Sequence, residues 1–133
     1  TPGIVGLYEK EHKILFCGDH ILGKITPNIT FWGFQYGDIL GTYFKSLDLV
    51  YHMDINYLFS SHRFLVDNHR ERIEELYGHH AKRLEEARQA LRKSGRSTVR
   101  TVTKQLHWDI KSKSWDDFPR HRNGLPPERP MPI

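Results

Sequence analysis

Two short apolar runs on either side of a charged turn constrain this chain more than any other feature. Ile4-Val5-Gly6-Leu7-Tyr8-Glu9 and Lys13-Ile14-Leu15-Phe16-Cys17 flank Lys10-Glu11-His12, and Gly18-Asp19-His20 closes the second run. Apolar stretches of this length around a polar turn read as a β-hairpin. A third strand is expected at Asp54-Ile55-Asn56-Tyr57-Leu58-Phe59, leading into Ser60-Ser61-His62-Arg63. Between the strands, Asp38 is a suitable N-cap for a helix running to about Leu49, with Ile39, Leu40, Tyr43, Phe44 and Leu47 at three-and-four spacing. The longest amphipathic pattern covers residues 67–93, where Ile73, Leu76, Tyr77, His80, Leu84, Ala87 and Leu91 form one stripe and Gly95 ends the helix. Strands that alternate with helices define an α/β class.

The connecting stretch 22–37 contains Gly23, Gly33, Gly37 and Pro27 together with Phe31, Trp32 and Phe34. Its aromatic density predicts an ordered loop whose rings pack against neighbouring structure. A shorter helix, capped by Ser97, is expected to run to about Leu106 with Val99, Val102 and Leu106 on one face. After Pro119 the apolar period disappears, and Pro126, Pro127, Pro130 and Pro132 mark an irregular tail.

The length, 133 residues, fits one ordinary domain. No run approaches the ~18 apolar residues of a membrane span. The single Cys17 excludes an internal disulfide and an all-cysteine zinc site, and it fits a reducing, cytoplasmic setting better than an oxidising one. Charge is unevenly distributed. Residues 1–60 carry Lys10, Lys13, Lys24 and Lys45 against six carboxylates, so most of the 20 basic residues lie in the second half and bias it toward anionic partners such as RNA.

Nine histidines raise the question of a metal. No His-x-His pair and no His-Glu-x-x-His is present, the two arrangements that set imidazoles side by side. His79 and His80 are adjacent on a helix and point about 100° apart, which suits a solvated His79 and a core-edge His80 rather than a chelate. Asp19 and His62 are different: each follows the end of a strand, where a side chain can be aimed out of the carboxyl end of a sheet. A carboxylate and an imidazole are suitable ligands for a divalent ion. Cys17 points into a buried strand and reads as a packing residue.

The order of these pieces carries a resemblance. Thr1-Pro2-Gly3, the strand pair ending in Leu15-Phe16-Cys17-Gly18-Asp19-His20-Ile21-Leu22, and Ile25-Thr26-Pro27-Asn28-Ile29 together resemble the second half of a metallo-β-lactamase superfamily hydrolase. The segment Asp67-Asn68-His69-Arg70-Glu71-Arg72-Ile73-Glu74-Glu75-Leu76, with His79-His80 and Arg83-Leu84, is similar to the long helix of the glyoxalase II-like branch, which includes single-stranded RNA endoribonucleases. Thr101 through Trp108-Asp109-Ile110 to Trp115-Asp116-Asp117-Phe118-Pro119 resembles the opening of the winged-helix module that follows in that branch. The likeness extends to about residue 119.

The resemblance implies the second half of an αββα sandwich over residues 1–93, the start of a truncated, winged-helix-like module over 94–119 and an irregular tail over 120–133. It implies Asp19 as the carboxylate bridging two divalent metal ions, zinc by family likeness, and His62 as a ligand of the second ion. The other five ligands, including the His-x-His-x-Asp-His cluster, are not in this chain. Arg63 stands beside His62 where the family has a small turn residue, and it is a candidate contact for an anionic substrate. The implied activity is hydrolysis of an ester, thioester, lactone or phosphodiester by metal-bound hydroxide, with the isolated half inactive. A missing N-terminal half, or self-association in its place, is the expected partner, and no membrane is expected. Two other classes stay open: a non-catalytic nucleic-acid-binding piece and a scaffold fragment.

Overall fold

A computed structural model describes residues 3–62 and 65–108. The chain divides between His80 and Ala81 into two compact units.

The first unit is built on a four-stranded sheet. Strand β1 (Leu7–Glu9) pairs antiparallel with β2 (Ile14–Gly18), β2 pairs parallel with β3 (Tyr57–Ser60), and β3 pairs antiparallel with β4 (Leu65–Val66), in that spatial order. The hairpin turn is closed by Glu9, whose carboxylate accepts the Glu11 and His12 amide protons at 2.7 and 2.8 Å. The third strand begins three residues later than its apolar pattern suggests. Asn56 and Tyr57 both donate their amides to the Lys13 carbonyl, and the Lys13 amine pairs with Asp54 at 2.6 Å, so residues 54–56 brace the hairpin instead of extending the ladder. Strand β4 has no counterpart in the sequence reading, because two residues are too few to display a period.

A parallel pair needs a crossover. Helix α1 (Ile39–Tyr51) supplies it, with Asp38 accepting the Gly41 amide at 2.8 Å as its N-cap. Helix α2 (His69–Ser94) follows β4. Its first turn is capped by Asn68, whose side-chain oxygen accepts the Arg70 and Glu71 amides. The core lies between the sheet and these helices. Leu15, Cys17, Leu58 and Val66 come from the sheet, Tyr43, Leu47 and Val50 from α1, Ile73 and Leu76 from α2, and Ile21 from the loop. Arg70 ties the end of α1 to α2 by donating to the Tyr51 and Met53 carbonyls.

Two expectations fail in this unit and the next. The aromatic loop does not pack inward: Phe31, Trp32, Phe34 and Tyr36 are exposed, Phe34 at 93%. Among the described residues its one close ring pair is internal, Phe31 edge-on to Phe34 at 5.2 Å. The apolar stripe of α2 is buried only over its first turns. In the second unit Leu84 and Leu91 are exposed and Ala90 is buried instead, because the neighbouring segment meets the helix mainly through polar groups, Arg83 to the His107 carbonyl and Gln105 to the Ser94 hydroxyl. Gly95, at φ +66°, ends α2 in the left-handed conformation that glycine adopts without strain. Helix α3 (Val99–Thr103) is shorter than expected and is capped by Thr98 rather than Ser97. Arg83 lies 4.9 Å above the Trp108 ring. Residues 109–119 of the winged-helix-like stretch, Trp115 among them, lie outside the described residues.

Candidate active site

The parallel pairing of β2 and β3 delivers two strand ends to one edge of the sheet. In open α/β sheets this carboxyl edge is where ligands bind. Gly18 pairs with Ser60 across a bulge in β2. Its φ of +57° turns the chain out of the strand, and its carbonyl accepts the Ser61 amide at 3.1 Å. The next residue on each side is therefore brought to the same corner. Asp19 Oδ1 lies 3.4 Å from His62 Nε2, with both side chains roughly half exposed. The two residues singled out from the sequence, 43 positions apart, are neighbours here. Arg63 lies outside the described residues.

Behind this corner opens a cleft of about 870 Å³. Asp19 and His62 stand at it, and its walls carry Ile4, Leu22, Ile25, Ile29, Ile39 and Val50. No lysine or arginine is among the described residues that line it. The loop forming one wall is held by Arg72, whose guanidinium donates to the Leu22 carbonyl at 2.7 Å and the Ile25 carbonyl at 3.0 Å.

A polar group missed in the sequence lines the same cleft. His20 Nε2 is 2.7 Å from Ser46 Oγ, and the Ser46 hydroxyl donates to the Tyr43 carbonyl at 2.8 Å. With the serine proton committed, His20 must be the donor, which assigns the Nε2–H tautomer from the network. The Tyr43 hydroxyl donates in turn to the His20 carbonyl at 3.1 Å. Burial lowers the His20 pKa and holds the ring neutral, and burial also pushes the Tyr43 hydroxyl well above its usual value. The only sequence signal was His20 following Asp19; Ser46 joins it through the crossover helix.

The Cys17 thiol is buried and its pKa is raised by desolvation, so it packs and is not a ready nucleophile. His79 is exposed. His80 sits among Tyr43, Phe44 and His79 with Nε2 buried and unpartnered, at the core edge as its spacing predicted. One further cluster of possible ligands is found among the described residues, Glu9, Glu11 and His12 in the exposed hairpin turn. The hydrogen bonds that Glu9 accepts from both neighbours account for this grouping as a closed turn, and they hold its carboxyl below the usual range.

Comparison of the sequence with protein-family models and with curated proteins gives no match. Solved structures do match. A metallo-β-lactamase family protein from Thermus thermophilus superposes with a TM-score of 0.66 and 28% identity over 74% of this chain. A β-lactamase domain protein from Burkholderia ambifaria gives a TM-score of 0.59 and 30% identity over 64% of it. The fold is part of a metallo-β-lactamase fold. The chain spans 32% and 27% of the lengths of these two neighbours. Both belong by name to a superfamily of hydrolases. No helix among the described residues is long and apolar enough to cross a membrane.

Proposed function

We propose that this chain is the C-terminal half of a metal-dependent hydrolase of the glyoxalase II-like branch, and that Asp19 and His62 are two of its metal ligands. The observation that carries the reading is the 3.4 Å approach of Asp19 Oδ1 to His62 Nε2 at the carboxyl edge of the parallel pair. The donor set fits a divalent ion of the zinc class. Two ligand atoms on one tetrahedral ion with bonds of ~2.1 Å stand ~3.4 Å apart, and both side chains here are open to receive the ion. Two donors are an incomplete set, and the neighbours' greater length leaves room for the others.

Divalent ions held there supply Lewis acidity toward a carbonyl or phosphoryl oxygen and an activated water. What this chain contributes is placement. The Gly18 turn and the Ser61 amide fix the two strand ends, Asp19 offers an anionic oxygen, and His62 offers a neutral nitrogen. Arg63, next to His62 in sequence, is retained as a candidate substrate contact. The ester, thioester and phosphodiester classes all fit this machinery.

An exposed apolar row on the sheet supports a docking place for the proposed N-terminal half. Leu7, Phe16, Phe59 and Leu65 pair in one row across all four strands, all four are exposed, and the Phe16 and Phe59 rings stack at 5.2 Å. An apolar sheet face of this kind calls for a second sheet, or a second copy of this one. Light scattering on the isolated chain is expected to give a self-associated species, and a monomer with a sharp melting transition would overturn that part. The nucleic-acid reading is less favoured, because Arg72, Arg83 and Arg88 are each paired with a glutamate on the same helix.

The decisive experiment is Asp19→Ala in the protein completed by its N-terminal half. Bound metal and hydrolysis are both expected to be lost. Unchanged metal content by atomic emission would sink the assignment.

A further inference from the structure

Asp19 lies in a β-turn whose neighbouring residues are held by other elements. The His20 amide donates to the Cys17 carbonyl at 3.1 Å and closes the turn, with Gly18 at φ +57° inside it. The Cys17 thiol donates to the Ile21 carbonyl at 3.4 Å. Beyond Asp19 the chain is fixed by residues distant in sequence. The Tyr43 hydroxyl donates to the His20 carbonyl at 3.1 Å, and His20 Nε2 donates to the Ser46 hydroxyl at 2.7 Å. The same ring stands edge-on to Tyr43, with centroids 5.6 Å apart and planes at 87°. Helix α1 thus grips residue 20 by its backbone and by its side chain. Ile21 is fully buried, and the Leu22 carbonyl accepts from Arg72 on α2.

Asp19 itself is held differently. Among the described residues its carboxylate has one ion-pair partner, His62, so its direction is set mainly by the backbone that carries it. A site that binds an ion needs its donor atoms held within roughly 0.5 Å. On the β3 side of the corner the Ser61 amide supplies that restraint by donating to the Gly18 carbonyl. On the β2 side the bonds to α1 supply it.

We propose that His20 and Tyr43 are positioning residues for Asp19, anchoring its turn to α1 through the Ser46 hydroxyl and the His20 carbonyl. The inference rests on the metal reading for its consequence and on the hydrogen bonds to α1 for its geometry. His20 commits its Nε2 proton to Ser46 and acts on the corner through the backbone it shares with Asp19.

The test has a metal-free arm and a metal-bound arm. In the metal-free chain, His20→Leu and Tyr43→Phe, which removes only the hydroxyl, are each expected to speed amide hydrogen exchange over residues 18–22. Mass spectrometry reads this, and the β1 peptide should exchange at the parent rate. In the protein completed by its N-terminal half, zinc affinity is read by competition with a chromophoric chelator. It is expected to fall roughly 10–100-fold in His20→Leu, the usual loss when the support of a metal ligand is removed. His20→Gln, whose side-chain amide offers a donor at the reach of Nε2, is expected to restore it. His80→Phe is the packing control: that ring also meets Tyr43, at 5.8 Å, but its Nε2 has no hydrogen-bond partner among the described residues, so parent affinity is expected. Unchanged exchange over residues 18–22 in both variants would overturn the proposal, as would unchanged zinc affinity in His20→Leu. An equal loss in His20→Gln or in His80→Phe would also overturn it, by assigning the effect to general packing. Asp19→Ala separates this inference from the reading it rests on. Zinc lost there but kept in His20→Leu removes the positioning role alone, whereas zinc kept in Asp19→Ala removes the assignment of Asp19 itself.

Discussion

The two faces of the sheet are almost equally apolar in sequence and opposite in fate. Leu15, Cys17, Leu58 and Val66 point to one side and are buried beneath α1 and α2. Leu7, Phe16, Phe59 and Leu65 point to the other and are exposed. Strands that read as continuous apolar runs, such as Ile14-Leu15-Phe16-Cys17, belong to sheets covered on both sides. Half of this sheet's cover is supplied by the chain itself. No described residue covers the other face, and in the reading proposed above the N-terminal half covers it, so the two faces separate what holds this unit together from what it is proposed to meet.

Substitutions at adjacent positions test that contrast most sharply. Leu58→Ala, on the covered face, is expected to cost about 2–5 kcal/mol in urea unfolding. Phe59→Ala, one residue later and facing the other way, should cost much less and should reduce self-association. Equal losses at the two positions would mean that the second face is already covered in the isolated chain.

Acid probes the covered side. His20, His69 and His80 all have pKa values lowered from 6.5, with burial the first cause in each. The unfolded chain therefore takes up protons that the folded chain refuses. The stability these rings contribute is present above about pH 6.5 and is lost as pH falls below it, by up to ~1.4 kcal/mol per pH unit for each histidine. His80→Phe should flatten that slope in a series of melts, because it removes a buried ring nitrogen that has no partner. A slope unchanged in that variant would place the acid sensitivity elsewhere.

Removing the cap of the covering helix is a smaller perturbation. Asp38→Ala is expected to cost about 1 kcal/mol, read as a shift in the urea midpoint. Smallest in stability is Phe16→Lys on the exposed face, expected within about 0.5 kcal/mol of the parent. Its readout is mass by light scattering, where a charge set against the stacked Phe59 ring should shift the chain toward monomer. If association persists, another surface carries it.

Much of this arrangement is legible from residue order. The hairpin, the Asp38 cap, the Gly95 stop and the positions of Asp19 and His62 after strand ends all follow from local chemistry: turn residues, caps, and apolar periods of two or three to four. Local chemistry also misleads. Phe31, Trp32 and Phe34 are costly to expose, which argues for a loop packed inward, yet no apolar layer among the described residues covers them. The α2 stripe continues in sequence through Leu84 and Leu91, because periodicity reports which side of a helix is apolar and not how far its partner reaches.

What the sequence determined by itself was the set of strands and helices and the kind of chemistry placed at the strand ends, since caps, turns and apolar periods act over a few residues. Only the tertiary structure decided that β2 and β3 run parallel, that Asp19 and His62 thereby meet, that His20 reaches Ser46, and that a cleft without lysine or arginine among its described residues opens behind them. Those facts depend on pairings between residues about 25 to 45 positions apart, and no short-range pattern encodes them. The burial of one sheet face and the exposure of the other belong with them, because a strand's alternation makes two faces while only packing chooses which one is covered.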